Sequence, residues 1–339
     1  MPCFIIAEAG VNHNGRLDLA LQLIDAAAVA GADAVKFQTF QADNVVVRGT
    51  AKAQYQKTHT GAGDQYDMIR ALELGEAQHE AMAQRCLERG IEFMSTPFDT
   101  WATDLLLALG MERIKVASGE LTNRPFLEML AQRGKPLILS TGMATLAEVE
   151  RSMWWLREAR PGVPDGDWLT VLHCTSNYPA APADVNLRAM QTLGRSLGIP
   201  VGYSDHTLGI EVSLAAVALG ATVIEKHFTL DRSLSGPDHQ ASLDPVQLKV
   251  LVDGVRTVES ALGDGFKAPA ASELPVRDLV RRSAFLIRAL PAGAALCAED
   301  LVYLRPGTGI GPENVRELLG RHTVRDLEPG QMLAWEDLV

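Results

Sequence analysis

Polar residues in this 339-residue chain fall in short clusters, each closing an apolar run. The clusters are Glu8; Lys36 and Gln38; Ser95 and Thr96; Lys115 to Glu120; Ser140 and Thr141; His173 to Tyr178; Ser204 to Thr207; and Glu225 to His227. Taken singly, each has a bland reading. A histidine is more often a hydrogen-bonded core residue than a ligand, and a hydroxyl at a strand end is commonly a helix cap. Taken together they describe chemistry. His206 and His227 end successive apolar runs, and two imidazoles with open positions suit Mn2+, Fe2+, Co2+ or Zn2+ better than Ca2+. Without a third histidine or a cysteine beside them, a closed structural zinc site is disfavoured. Lys36 and Lys115, with the hydroxyls of Thr96, Ser118, Ser140, Thr141, Ser176 and Ser204, are the makings of a phosphate cradle. Lys226 reads instead as an ion-paired structural residue. Glu8, Glu120 and Glu225 either neutralise these cations or supply a general acid or base tuned by them. The turn over residues 236–240 offers Asp238 and amide donors to sugar hydroxyls, or is an ordinary Gly-Pro turn.

These clusters need elements that bring them to one place. Short β-branched runs are predicted as strands over 4–7, 34–37, 92–95, 113–116, 136–139, 169–173, 200–203 and 222–225. Between and after them, helical periods cover 17–30, 77–89, 102–109, 125–132, 146–158, 187–196, 210–219 and 245–262. Several helices end in glycine, as at Gly31, Gly90 and Gly220, where a left-handed cap is wanted. Eight strand-helix units predict an α/β fold, a (β/α)8 TIM barrel over residues 1–262. An open doubly wound sheet would use the same alternation, but no GxGxxG opens the first helix. In such a barrel the C-terminal strand ends form the mouth where chemistry sits. Every polar cluster above falls there.

Residues 263–278, rich in Gly, Pro and Ala, read as a linker. Beyond them LPAGAALCAEDL (290–301) and LEPGQMLAWEDL (327–338) share six of twelve positions at an offset of 37, which predicts a compact pseudo-symmetric β-rich module over 279–339. Hydrophobic residues at 47% and charged residues at 22% fit a globular protein with a sizeable core. A net charge of −11 argues against a bulk affinity for nucleic acid or anionic membrane. A few local lysines can still bind a small anion. Neither a membrane span nor a signal peptide is legible. The four scattered cysteines form no CxxC pair and read as free thiols in a reducing cytoplasm.

The runs IIAEAGVNHNG, VKFQTF, STPFD, IKVASGE, ILSTGM, HCTSNYP, GYSDHT, EKHFTLD and GPDHQASL, in that order, resemble those of sialic acid synthases (N-acetylneuraminate and related nonulosonate synthases). The C-terminal module, with YLRPGTGI, resembles the antifreeze-like (SAF) domain fused to these barrels. The resemblance implies a metal-dependent condensation of phosphoenolpyruvate with the open-chain aldehyde of N-acetylmannosamine or a similar N-acylated amino sugar. Phosphate leaves by C–O cleavage. It further implies that His206 and His227 ligate Mn2+, with Mg2+ or Co2+ as alternatives, and act with Glu8 and Glu120 in catalysis. Lys36, Thr96, Lys115, Ser118, Ser140, Ser176 and Ser204 would hold phosphoenolpyruvate, though some members carry Asn where this chain has Ser176. Gln38, Glu120, Tyr178 and Asp238 would contact the sugar. Arg305 would reach sugar bound to the partner chain of a domain-swapped homodimer. The loop over residues 58–66 is assigned no contact.

N-acetylneuraminate is the expected product, with legionaminate from a 2,4-diacetamido-trideoxy hexose as the alternative. GPDHQASL fits both better than pseudaminate synthases, which tend to have Ser at the position of His239. Lacking an extra basic cluster at the mouth, an unphosphorylated sugar is expected. A Schiff-base sialate lyase would need a nucleophilic lysine in an apolar pocket, and neither Lys36 nor Lys115 has one. A non-catalytic sugar- or ice-binding role would leave the polar strand ends without use.

Overall fold

A computed structural model describes residues 2–339. The chain divides into two compact units between Gly263 and Asp264. The first is a parallel barrel of eight strands: β1 Phe4–Gly10, β2 Ala34–Thr39, β3 Glu92–Pro97, β4 Ile114–Val116, β5 Leu137–Ser140, β6 Leu169–Cys174, β7 Val201–Asp205 and β8 Val223–His227. Their order is β3-β2-β1-β8-β7-β6-β5-β4, and β3 lies beside β4 to close the ring. The α/β barrel expected from the alternation is therefore the fold.

Most strands run one to three residues further than their apolar runs. The polar residues at their ends stay in the ladder: Glu8 pairs with Lys36 on one side and His227 on the other, and Gln38 pairs with Thr96. Hydrogen bonding of the backbone, unlike hydropathy, is indifferent to the side chain.

Side chains alternate along a strand. Outward residues such as Ile5, Val35 and Phe37 join a core with the buried stripe Ala20, Leu23, Ile24 and Ala27 of helix Leu17–Ala30. Full burial of one such large side chain contributes about 1.5–3 kcal/mol. Inward residues Ile6, Ala34, Met94, Ile138, Leu172 and Val223 plug the barrel interior. On β7 the interior position is Gly202, where a Cβ would stand 2.4 Å from the Val223 carbonyl oxygen and 2.7 Å from Leu172 Cδ2, so only glycine fits. Helix starts are capped as their sequences suggest: Thr145 and Glu148 form a capping box, as do Asp244 and Gln247 with Pro245 in the first turn.

One region had no predicted element. Between β2 and helix Glu76–Arg89 the chain makes three short helices, Ala42–Val45, Gln54–Thr60 and Gln65–Arg70.

The second unit holds the short helix Leu274–Val280 and an antiparallel pair, β9 Ser283–Leu286 and β10 Leu301–Leu304, around a core that includes Leu286, Leu290, Leu296, Leu318 and Leu333. The repeat is visible in space. Leu290 bridges Leu327, and Gly293 and Gly330 share φ of 79°. Arg288 pairs with Asp300 at 2.6 Å and Arg325 with Asp337 at 2.7 Å. Asp300 and Asp337 each accept from a backbone N–H three residues earlier, that of Cys297 and of Ala334.

Candidate active site

One step beyond the apolar plug, the inward positions of the barrel turn polar. Ile6 is followed by Glu8, Ala34 by Lys36 and Gln38, Met94 by Thr96, Ile138 by Ser140, Leu172 by Cys174, and Val223 by Glu225 and His227. With a side-chain period of two and all strands parallel, these residues form a buried polar layer. The layer is the floor of a cavity of about 510 Å3 that opens at the C-terminal strand ends.

Charges on this floor are paired. Lys36 Nζ stands 2.5 Å from Glu8 Oε2 and 3.5 Å from Glu225 Oε2, and donates to Thr96 Oγ1 at 2.9 Å. Lys115 Nζ donates to Ser140 Oγ at 2.7 Å and lies 3.7 Å from Glu225 Oε1. Ser204 Oγ donates to the same Glu225 oxygen at 2.7 Å. The two carboxyls are driven apart. Burial pushes Glu8 up to about 7, opposed by Lys36 and reinforced by Glu225. Burial acts on Glu225 too, but Lys115, Lys36 and the Ser204 hydroxyl outweigh it and hold that carboxyl below its usual range. Of the two, Glu8 is the group able to carry a proton near neutrality. For Lys36, burial is more than offset by Glu225 and Glu8, so its ammonium is strengthened. Lys115 is weakened, chiefly by burial.

His206 and His227 meet at the rim with ring centroids 5.4 Å apart. The His206 Nδ1–H donates to the Thr175 carbonyl at 2.7 Å, leaving Nε2 with its lone pair. His227 is buried and its Nδ1 has no hydrogen-bond partner among the described residues. Burial, His206 and Lys36 keep this ring neutral. Burial pulls His206 down, but Cys174, the Thr175 carbonyl and Glu225 outweigh it, so proton and cation compete for this imidazole. Among the described residues no group of three or more His, Cys, Asp or Glu could hold a metal ion. Two imidazoles with available nitrogens offer a divalent cation two ligands and do not make a closed structural site.

The cavity also brings in Gln38, Ser118, Ser176, Tyr178 and Asp238. Tyr178 stacks on His206 at 4.1 Å between centroids. Burial pushes the Asp238 carboxyl up to about 6, eased by His206. Ser118 Oγ accepts from the Gly142 N–H at 3.0 Å. Glu120 is not brought in: it does not line the cavity, and its carboxylate accepts from Asn123 Nδ2 at 2.7 Å. Arg305 is an exposed residue of the second unit. Lys226 is directed outward and fully buried against Asp205 at 2.9 Å. His13, in the turn after β1, packs on Phe37 and does not line the cavity.

Two contributors were missed by sequence reasoning. Cys174 lies on the floor with Sγ 3.8 Å from His206 Nδ1; the alternation Leu172–Cys174 was the signal for it. Gln65, Met68, Ile69 and Leu72 form a wall of the cavity, and their i, i+3, i+4, i+7 spacing was legible.

Residues 23–267 match the model of the NeuB family and residues 281–339 that of the SAF domain. The chain is 52% identical over 339 residues to an N,N'-diacetyllegionaminic acid synthase of Legionella pneumophila, covering 100% of this chain and 95% of the relative. It is 45% identical to the enzyme of the same name from Campylobacter jejuni, covering 97% and 98%. Identity to the human N-acetylneuraminate-9-phosphate synthase is 35%, covering 100% and 93%. The crystal structure of an N-acetylneuraminic acid synthetase from Leptospira borgpetersenii, in complex with citrate, superposes with a TM-score of 0.70 at 37% identity, covering 81% of this chain and 90% of that one.

Proposed function

Because the chain belongs to the NeuB family of sialic-acid-type synthases, enzymes that condense phosphoenolpyruvate with a sugar, we propose that its acceptor is a 2,4-diacetamido-trideoxy hexose and its product an N,N'-diacetyllegionaminate. The observation that carries this choice is the gradient of identity: 52% and 45% to two diacetyllegionaminic acid synthases, against 35% to the human N-acetylneuraminate-9-phosphate synthase. The diacetamido sugar thereby replaces N-acetylmannosamine as the preferred acceptor.

Phosphoenolpyruvate lies on the cavity floor. The Lys36 and Lys115 ammoniums meet its anionic groups, and the hydroxyls of Thr96, Ser118, Ser140, Ser176 and Ser204 donate to them. Glu8 and Glu225 hold both lysines in place before substrate arrives, so little side-chain freedom is lost on binding. When bound, a divalent cation, Mn2+ with Mg2+ or Co2+ as alternatives, would be held by His206 and His227, offset substrate charge and polarise the aldehyde. Gln38, Tyr178 and Asp238 orient the open-chain sugar so that its aldehyde carbon faces the methylene carbon of the enol ester. A carbon–carbon bond forms while Glu8 gives its proton to the aldehyde oxygen. Glu8 takes this role rather than Glu120 because only Glu8 lines the cavity. Water adds to the former enol carbon and returns one proton to Glu8, and phosphate departs with its bridging oxygen and the other proton, leaving the 2-keto acid. Lys36, ion-paired with the ionised Glu225 and protonated, is unsuited to a Schiff base, which needs a neutral amine.

A phosphate-release assay with phosphoenolpyruvate, Mn2+ and a panel of aldoses tests the reading. The diacetamido sugar is expected to give a kcat/KM at least roughly tenfold above N-acetylmannosamine and its 6-phosphate. Faster turnover of either of those sugars sinks it.

A further inference from the structure

The cavity has two unlike halves. Its charged groups all come from strand ends and the loops directly after them. The segment between β2 and helix Glu76–Arg89 adds none: its contribution is Phe40, Val45, Met68, Ile69 and Leu72, with Ala53 and the amides of Gln56 and Gln65. Helix Gln65–Arg70 and the turn after it present residues 65, 68, 69 and 72 to the cavity as a single stripe. An amphipathic helix normally spends its apolar face on the core. Met68, Ile69 and Leu72 do not join the barrel core and stay half-exposed at the cavity.

The helix is held in that orientation. Asp64 caps its start, accepting from the Asp67 N–H at 2.8 Å, and Tyr66 donates to Asp43 at 2.8 Å. Of the cations in the segment, Arg48, Lys52, Lys57 and Arg70, none lines the cavity, and Arg70 pairs with Asp43 and Glu73. Arg48 donates to the Tyr66 hydroxyl, and Lys52 donates to the carbonyls of Gly61 and Ala62.

We infer that this stripe is the acceptor-selecting wall, and that it reads the end of the sugar remote from the aldehyde. The inference rests on the preceding reading to the extent that the reacting aldehyde lies on the charged floor. The remote end then meets Met68, Ile69 and Leu72, which accept a methyl terminus or an N-acyl methyl and offer nothing to a hydroxyl. A phosphoryl group placed there would lose its water with no cation of this wall to replace it. Gln65 supplies both a donor and an acceptor, the pair an amide substituent requires, while the Gln56 oxygen already accepts from the Ala53 N–H at 2.9 Å. The wall thus selects a deoxy, N-acylated sugar over a hydroxylated or phosphorylated one.

The test is steady-state kinetics of the full chain with phosphoenolpyruvate and Mn2+, comparing acceptors that differ only at the terminal carbon: methyl, hydroxymethyl and phosphorylated hydroxymethyl. In Met68→Gln and Ile69→Ser the kcat/KM ratio of methyl over hydroxymethyl acceptor is expected to fall by about tenfold. The KM for phosphoenolpyruvate should not change. In Ile69→Lys the phosphorylated acceptor should gain relative to the other two. Equal loss on all acceptors, or a raised KM for phosphoenolpyruvate, overturns the wall. Thermal melting identifies any variant that has lost its fold, and Leu72→Gln then takes its place. Should the unaltered enzyme prefer N-acetylmannosamine, the diacetamido acceptor falls, while the wall still stands or falls on whether the ratio moves.

Discussion

His206 and His227 were legible as a pair because each ends an apolar run one strand apart. What the structure adds is their state: one ring with Nδ1 engaged by a backbone carbonyl, the other buried with a free nitrogen. Replacing either by alanine is expected to cost more than the 10–100-fold typical of losing an outer-shell partner of a metal. Thermal melting should change little. EDTA treatment of the unaltered enzyme should abolish phosphate release and added Mn2+ restore it; full activity in the chelated protein would defeat the metal assignment. Gly142 offers a second test. A Cβ there would stand 2.1 Å from Ser176 Oγ and 2.9 Å from Ser118 Oγ, two hydroxyls of the proposed phosphate cradle. Gly142→Ala should raise the KM for phosphoenolpyruvate more than it lowers kcat, and an unchanged KM would remove those serines from the cradle. Glu120 shows the limit of reading by motif. It shares a cluster with Lys115 and Ser118, yet it stands in the short turn after β4 and bonds to Asn123 instead of the cavity.

At the scale of elements, His206 directly follows β7 and His227 ends β8, and the register of the two strands is pinned one residue earlier by Asp205 opposite Lys226. The pair is completely buried. Lys226 also donates to the Thr207 carbonyl at 2.5 Å, while Asp205 accepts from the Thr207 N–H and from Ser213 Oγ. Removing one member leaves an uncompensated buried charge. Lys226→Met should therefore cost about 3–5 kcal/mol of stability, seen as a lower urea midpoint. The double variant Asp205→Leu/Lys226→Met should recover much of that loss, and a loss as large as in the single variant would contradict the account. Strands and long helices were readable because burial imposes periods of two and 3.6. The helices of residues 40–75 were passed over because they are one or two turns long and face a cavity instead of a core, although the spacing of residues 65, 68, 69 and 72 carried a helical signal.

For the molecule as a whole, the acidic balance says little about stability at low pH; three buried histidines say more. His13 is pulled down to about 4 by burial and by the neighbouring His79 and His239. Burial holds His239 at about 4 as well, against the pull of Asp231, and lowers His79. In the unfolded chain these rings titrate near 6.5. Between about 6.5 and 4 the unfolded chain therefore binds protons that the folded chain refuses, so stability is full above this window and falls as pH drops through it. The loss is on the order of 3 kcal/mol for His13 and for His239. Urea midpoints measured from pH 7 to 4 should decline steeply, and His13→Gln should flatten the decline. A flat profile in the unaltered protein would contradict the burial of these rings.

The amino-acid order alone determined the eight strand-helix units, the internal repeat at an offset of 37, and the strand ends where chemistry had to lie. All three follow from local periodicity, which any stretch of chain expresses without its neighbours. Tertiary structure alone decided which polar residues face inward. A side chain's direction depends on strand register, and register is set by hydrogen bonds to strands far away in sequence. Lys36 and Lys226 each follow a short apolar run, yet one reaches the cavity and the other is sealed behind it against Asp205. For the same reason, whether an apolar helix stripe fills a core or walls a binding site could be known only once the barrel had closed beside it.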